Sequence, residues 1–451
     1  MVFSSFDFLL KFLPLFMAVY CAVPKKYRNA TLFAGSLVFY AVGNVRTPLF
    51  VLLFFVSIVV NWICGRLIQK YPGQGRKILT AGVVYNLAWL VFFKYSYFLH
   101  LLPVKLVLPV GISFYTFQSI SYLADVYMQT AKAERNLFNL GCYISMFPQL
   151  IAGPIVRYTD INKQLKKRDF TPEIFLEGLK LFSLGLGSKV VLANQIGNLW
   201  KDVNDVGFES ITTPMAWLGV IACSLQLYFD FWGYSIMAMG LGKMFGFDIP
   251  RNFDAPYTAV SMTEFWRRWH MTLGSWFREY VYIPLGGSRK GQKTQIRNLF
   301  IVWMLTAVWH GAGWNFILWG LFLFAVIVSE KLWTGRFLNK FRPLGHLYML
   351  LLIPINWLIF SVDSVGQIGI YLARLAGAAP VNAFAQDWNV ALATYGKVLI
   401  PGLLLCTKLP IKLYEKYKDG KGFFALSAAA LALSFYCLYM GLNDPFLYFR
   451  F

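Results

Sequence analysis

The chain has 451 residues, 58% of them hydrophobic, 18% aromatic and only 14% charged. Soluble domains carry about 25% charged and about 45–50% apolar residues, so a soluble enzyme, a disordered chain and a disulfide-stapled secreted domain are excluded and a polytopic membrane protein is left. The net charge is +21, from 42 Lys and Arg against 21 Asp and Glu.

Those basic residues sit in short loops between apolar runs, the pattern of the positive-inside rule. The partner this implies is a lipid membrane and not a nucleic acid. A subset is also placed to attract an anionic cytoplasmic substrate or anionic lipid.

A spanning helix takes about 20 apolar residues, which leaves room for roughly 11–12 transmembrane helices. In chain order the apolar runs are 4–23, 30–42, 48–68, 78–102, 107–128, 137–156, 174–199, 214–242, 296–310, 312–330, 346–362, 391–407 and 422–441. No small-residue cleavage site follows the first run, so it reads as a retained helix and not a signal peptide. The short run TLFAGSLVFYAVG (31–43) reads as a re-entrant or half-helix piece, which must be buried in protein because lipid cannot satisfy a broken backbone. The fold class is therefore all-α, with re-entrant and interfacial helices beside the spanning ones, in a single membrane domain covering 1–451.

The connecting loops divide by charge. Lys25, Lys26 and Arg28 form one basic loop; others are Arg66–Lys77, Lys163–Arg168, Arg289–Arg297, Lys331–Arg342 and Lys408–Lys421. KDVNDVGFESITT (201–213) is acidic, and Asp363 and Asp387 fall in another stretch poor in basic residues. Counting basic residues places the basic loops in the cytoplasm and the acidic ones outside, together with both termini.

Residues 243–295 mix charge with aromatics and read as a cytoplasmic or interfacial segment. Within it, SMTEFWRRWHMTLGSWFREYVYI starts at Ser261 with Glu264 three residues on, the spacing of a capping box. Trp266, Trp269, Leu273, Trp276 and Phe277 fall near one stripe, which predicts an amphipathic helix lying at the interface.

There are four histidines: His100, His270, His310 and His346. His310 lies inside VWMLTAVWHGAGWNFILWG, where an ionisable side chain is costly and points to function. The plainer reading is a buried histidine donating to a carbonyl among tryptophans. His270 is either an interfacial residue beside arginines or a second polar group facing the same cavity. His100 and His346 sit at the ends of runs and read as interfacial. A neutral imidazole can act as general base toward a hydroxyl or thiol, and the chain has no HExxH, P-loop or GxSxG pattern to compete with it. Asp230, in QLYFDFWGYS, is either a catalytic helper or a structural partner for an Arg or Tyr. The six cysteines show no CxxC spacing and read as small buried hydrophobes, with no disulfide framework or metal site. The tail 444–451, DPFLYFRF, reads as an aromatic anchor or as a segment that folds back to present Tyr448.

Five stretches carry a family resemblance: VLPVGISFYTFQSISYLADVY, FPQLIAGPIVRY, QLYFDFWGYSIMAMGLG, SMTEFWRRWHMTLGSWFREYVYIPLGGSRKG and VWHGAGWNFILWG. They resemble the membrane-bound O-acyltransferases. The first residues and PFLYFRF resemble the branch containing the alginate and peptidoglycan O-acetylation membrane proteins. FDFWGYSIMA departs from that branch at Trp232 and Ile236 and leans toward the D-alanyl-transferring one.

The resemblance implies a helical fold with a cytoplasmic and an extracytoplasmic funnel meeting near a histidine. It places the family's near-invariant histidine on His310, its second active-site histidine on His270 and an acyl-relaying tyrosine on Tyr448. It implies no tightly bound cofactor, acetyl-CoA as the thioester donor, and an extracytoplasmic partner of the SGNH-hydrolase type that acetylates a polysaccharide. The location it implies is the bacterial inner (plasma) membrane. The readings set against this are D-alanyl transfer from a carrier-protein thioester to teichoic acid, a small-solute transporter, and a non-catalytic scaffold.

Overall fold

A backbone in lipid must satisfy its own polar groups, and apolar runs do so as helices. Among the described residues every regular element is a helix. The computed structural model describes residues 2–380 and 384–441. Tyr448 and the tail 444–451 lie outside them.

Among the described residues seven helices are long and apolar enough to cross a membrane: Leu49–Lys70, Pro72–Tyr95, Thr213–Met244, Trp314–Lys340, Arg342–Ser361, Asp387–Leu405 and Lys421–Tyr439. The remaining apolar runs are shorter or interrupted, which is why fewer helices qualify alone than the hydropathy suggested. The run 137–156 breaks at Met146, whose ψ of 111° ends the helix Leu137–Ser145 before Phe147–Leu150. The run 174–199 continues through a π-helical turn at Ser188–Ala193 and carries Glu177, Lys180 and Lys189 among its apolar residues. The run 31–43 belongs to Arg28–Gly43, 16 residues and about 24 Å long, short of the roughly 30 Å hydrocarbon core.

The chain divides into two units, Met1–Phe182 with Ser235–Arg251, and Ser183–Tyr234 with Asn252–Phe451.

In the first unit Phe8, Phe12, Phe16, Phe39, Phe147 and Phe245 interlock, with ring centroids 5.3–6.1 Å apart in the contacts of Phe147 with Phe8, Phe12, Phe16, Phe39 and Phe245. Arg168 gathers the polar ends of this packing. It donates to Tyr20 Oη at 2.9 Å, Asn29 Oδ1 at 2.6 Å and the Phe245 carbonyl at 3.0 Å. Asn61 and Asn86, each buried in a candidate span, exchange amide hydrogen bonds at 3.1 and 2.8 Å. Such pairs hold membrane helices together where lipid offers no polar alternative.

In the second unit a core of tryptophans lies between Met262–Arg268, Gln292–His310, Trp314–Ser329 and Arg342–Ser361. Trp266 meets Trp303 at 5.2 Å and Trp319 at 5.5 Å, and Trp269 meets Trp357 at 4.5 Å. Both histidines singled out above belong to this unit.

Candidate active site

Gln292–His310 and Trp314–Ser329 form a helical hairpin turned by Gly311, Ala312 and Gly313. Close approach is built in: a Cβ on Gly320 would stand 2.7 Å from Ala307 Cβ and 3.0 Å from the Trp303 carbonyl oxygen. His310 is the last residue of its helix and is only 8% exposed. Three rings wall it in. Trp319 and Phe360 meet its imidazole edge-to-face at 5.2 and 5.1 Å, and Trp309 packs at 4.9 Å. Trp319 Nε1 donates to Asn356 Oδ1 at 2.9 Å, and Asn315 Nδ2 donates to the Phe360 carbonyl at 3.1 Å. These two bonds tie the walls to the helix Arg342–Ser361.

His270 is placed by a break in the predicted amphipathic helix. Met262–Arg268 starts as its capping pattern predicts. Ser261 Oγ accepts the Glu264 N–H at 3.1 Å, and Glu264 accepts the Val260 N–H at 2.9 Å. The helix then ends at Trp269, whose ψ is 129°. His270 takes the left-handed conformation, φ +45°, and a new helix Met271–Phe277 follows. The reason is a neighbouring loop: the Asp254 N–H donates to the Arg268 carbonyl at 3.0 Å, and the Met271 N–H donates to the Asn252 carbonyl at 2.9 Å. Sheet-like bonds of this kind compete with helix continuation.

The His270 side chain is 2% exposed. Its ring stands edge-on to Phe231 at 4.7 Å and contacts Trp309 at 6.3 Å. Nδ1 lies 3.1 Å from Asn252 Oδ1, and Nε2 is buried with no hydrogen-bond partner among the described residues. Burial pushes its pKa down to about 3, so the ring is neutral at physiological pH. His270 and His310 therefore both contact one indole, that of Trp309.

Asp230 has a lysine as an ion-pair partner. Its carboxylate takes the Lys189 ammonium at 2.9 Å, with both side chains buried. Glu330, which the sequence did not single out, caps Met262–Arg268 from another helix. It accepts from the Met262 and Thr263 amides at 2.6 and 2.8 Å. Asn252 and Thr272 were missed too. A single Asn in NFDAPY lies in a loop without periodicity, so nothing in the sequence pairs it with a histidine 18 positions on. His100 carries a left-handed φ of +55° in the turn after Gly75–Tyr95, apart in sequence and unit from the pair.

A family model described as MBOAT, membrane-bound O-acyltransferase family, matches residues 78–365. That span contains both histidines and every wall just described. The chain belongs to the membrane-bound O-acyltransferase family. It is a multi-pass membrane protein and an O-acyltransferase. It is 39% identical over 383 residues to a probable alginate O-acetylase of Azotobacter vinelandii, covering 81% of this chain and 76% of that one. It is 32% identical to the peptidoglycan O-acetyltransferase of Helicobacter pylori over 100% of this chain and 98% of that one. A more distant O-acyltransferase, the teichoic acid D-alanyltransferase of Bacillus subtilis, is 28% identical over 56% of this chain and 67% of its own length.

Proposed function

We propose that this O-acyltransferase moves an acetyl group from acetyl-CoA, bound on the cytoplasmic side of the bacterial inner membrane, to the outer side for O-acetylation of a polysaccharide. The observation that carries the proposal is the pair of buried imidazoles on Trp309, one of them with an unengaged ring nitrogen. The names of the relatives over most of the chain favour acetyl over D-alanyl.

His310 acts as general base. An acceptor hydroxyl gives its proton to the imidazole as its oxygen bonds to the thioester carbonyl carbon. The C–S bond then breaks, and the thiolate takes the proton back from the imidazolium. His270 assists proton transfer beside it. The aromatic walls exclude water, which would otherwise hydrolyse the thioester. Tyr448 supplies the acceptor hydroxyl as an acyl relay. An extracytoplasmic partner of the SGNH-hydrolase type receives the acetyl and places it on the polymer. No tightly bound cofactor takes part.

The test uses the full chain in nanodiscs with radiolabelled acetyl-CoA. Wild type releases CoA and keeps label on Tyr448; His310→Ala and Tyr448→Phe do neither at normal membrane abundance. A general base accounts for about 10²–10⁴-fold in rate, so His310→Ala falls by at least that range. Unaltered acetylation in His310→Ala would sink the assignment. Untouched CoA in wild type with the partner protein present would remove acetyl-CoA as donor in favour of a carrier-bound acyl thioester.

A further inference from the structure

We propose that Asn252 is a positioning residue for acyl transfer: its side-chain oxygen holds His270 in the tautomer with hydrogen on Nδ1, leaving Nε2 as the basic nitrogen. This rests on the reading of His270 as part of the proton-transfer machinery.

The argument is one of donors and acceptors. The Thr272 backbone N–H points at the Asn252 side chain at 3.3 Å, and Thr272 Oγ1 lies 2.8 Å from the same atom. A backbone amide only donates, so the atom facing it is the oxygen of the Asn252 amide and not its nitrogen. An amide oxygen only accepts. His270 Nδ1, 3.1 Å from that oxygen, must then carry the hydrogen. A neutral imidazole has one N–H, so Nε2 carries the lone pair, consistent with its having no partner among the described residues.

The oxygen is fixed as well as oriented. Asn252 is 1% exposed, and its loop is strapped to the histidine's own segment by the Met271-to-Asn252 and Asp254-to-Arg268 backbone bonds. Among the described residues no other hydrogen-bonding group meets the ring. Phe231 and Trp309, the rings against the imidazole, carry no charge. The Arg268 guanidinium, two residues away, is engaged by Glu264 and Thr258. Without the Asn252 oxygen the ring is free to populate the Nε2–H form, which has its lone pair on the nitrogen facing Asn252. Holding the productive tautomer by a neighbouring acceptor is a known requirement of catalytic histidines.

The experiment uses the full chain in nanodiscs with ¹⁵N-labelled histidine rings, the His270 signals being identified by their loss in His270→Gln. In wild type Nδ1 is expected as the protonated nitrogen and Nε2 as the unprotonated one, with a tautomer mixture in Asn252→Ala. With acetyl-CoA as substrate, Asn252→Ala lowers kcat about 10–100-fold with KM unchanged, within the roughly 10²–10⁴-fold that general-base catalysis supplies. Asn252→Asp keeps the acceptor and restores turnover. Its carboxylate also favours the imidazolium, moving the acid limb of the pH profile up by about 1 unit or more. An Nε2-protonated ring in wild type, or full kcat in Asn252→Ala where His270→Gln loses it, overturns the positioning role alone. Full turnover in His270→Gln overturns the role of His270 in the reaction and the positioning role with it.

Discussion

A histidine kept neutral inside protein makes stability depend on pH in a definite direction. His270 is held at about 3, against the ordinary 6.5. Below about pH 6.5 the unfolded chain binds a proton that the folded chain refuses. The contribution of this group is therefore fully present above 6.5 and is lost as pH falls toward 3, by about 1.4 kcal/mol per pH unit. The thermal midpoint in nanodiscs, followed by tryptophan fluorescence, should fall from pH 6.5 to 5. In His270→Gln that part of the slope should flatten; an unchanged slope would mean the native ring already takes up the proton. At this scale the sequence was legible where a residue was conspicuous by chemistry. An imidazole in an apolar run stands out, as His310 does; His270 is conspicuous as one of only four histidines, in a segment that mixes charge with aromatics. The groups that hold the surroundings in place do not stand out: Asn252 on His270, Thr272 on Asn252, Glu330 on the helix Met262–Arg268 and Lys189 on Asp230 are ordinary residues whose meaning is a distance across the fold, and no spacing along the chain encodes it.

At the scale of elements, the segment after Ser261 shows where pattern and structure part. The capping signature was readable and the helix starts at it, but the helical stripe of tryptophans runs on through a break that backbone bonds to residues 252–254 impose. Stripe periodicity reports which side chains are apolar; it does not report a competing loop. Glu330 shows the same limit from the other side. Its carboxylate accepts the Met262 and Thr263 amides, the Thr263 hydroxyl at 2.6 Å and the Tyr348 hydroxyl at 3.2 Å. Removing it orphans four donors, that of Met262 buried and the other three partly buried, where each unmade buried bond costs about 1–3 kcal/mol before relaxation. Glu330→Ala should lower stability by roughly 2–4 kcal/mol, with solvent and relaxation absorbing part of that loss. Glu330→Gln should lose less, because one oxygen still accepts while its NH₂ opposes the remaining donors. Denaturant titration of both variants, with the Met262–Arg268 amides followed by hydrogen exchange, checks it. Equal losses would mean the carboxylate acts by charge and not as a cap.

At the scale of the whole molecule, the sequence alternates its loop charge, and within the second unit that alternation becomes spatial. The acidic stretch 201–213, which begins within the helix Asn194–Val206, is bound to the other basic-poor stretch. Asp387 accepts the Thr212 amide at 2.9 Å, Gln367 donates to Glu209 at 3.0 Å, and Arg374 donates to the Phe208 and Glu209 carbonyls at 3.2 and 3.0 Å. From Asp387 the helix Asp387–Leu405 runs 19 residues, about 28 Å at 1.5 Å per residue. It delivers the chain to the basic loop Lys408–Lys421. The two loop classes thus occupy opposite ends of a membrane-length helix. The positive-inside rule then assigns the basic end to the cytoplasm, where an anionic thioester donor would meet it, and the acidic end to the outside, where the acetyl would leave. In a cysteine-free background, Asp205→Cys should react with a membrane-impermeant maleimide in intact spheroplasts. Lys418→Cys should react only after permeabilisation. Asp205 is an exposed residue paired with Lys201 four positions earlier, so its replacement should leave acetyl transfer intact and keep the readout interpretable. The reverse labelling would invert the orientation, place the acidic end against the cytoplasm, and count against the proposal that an anionic donor is drawn to the basic end.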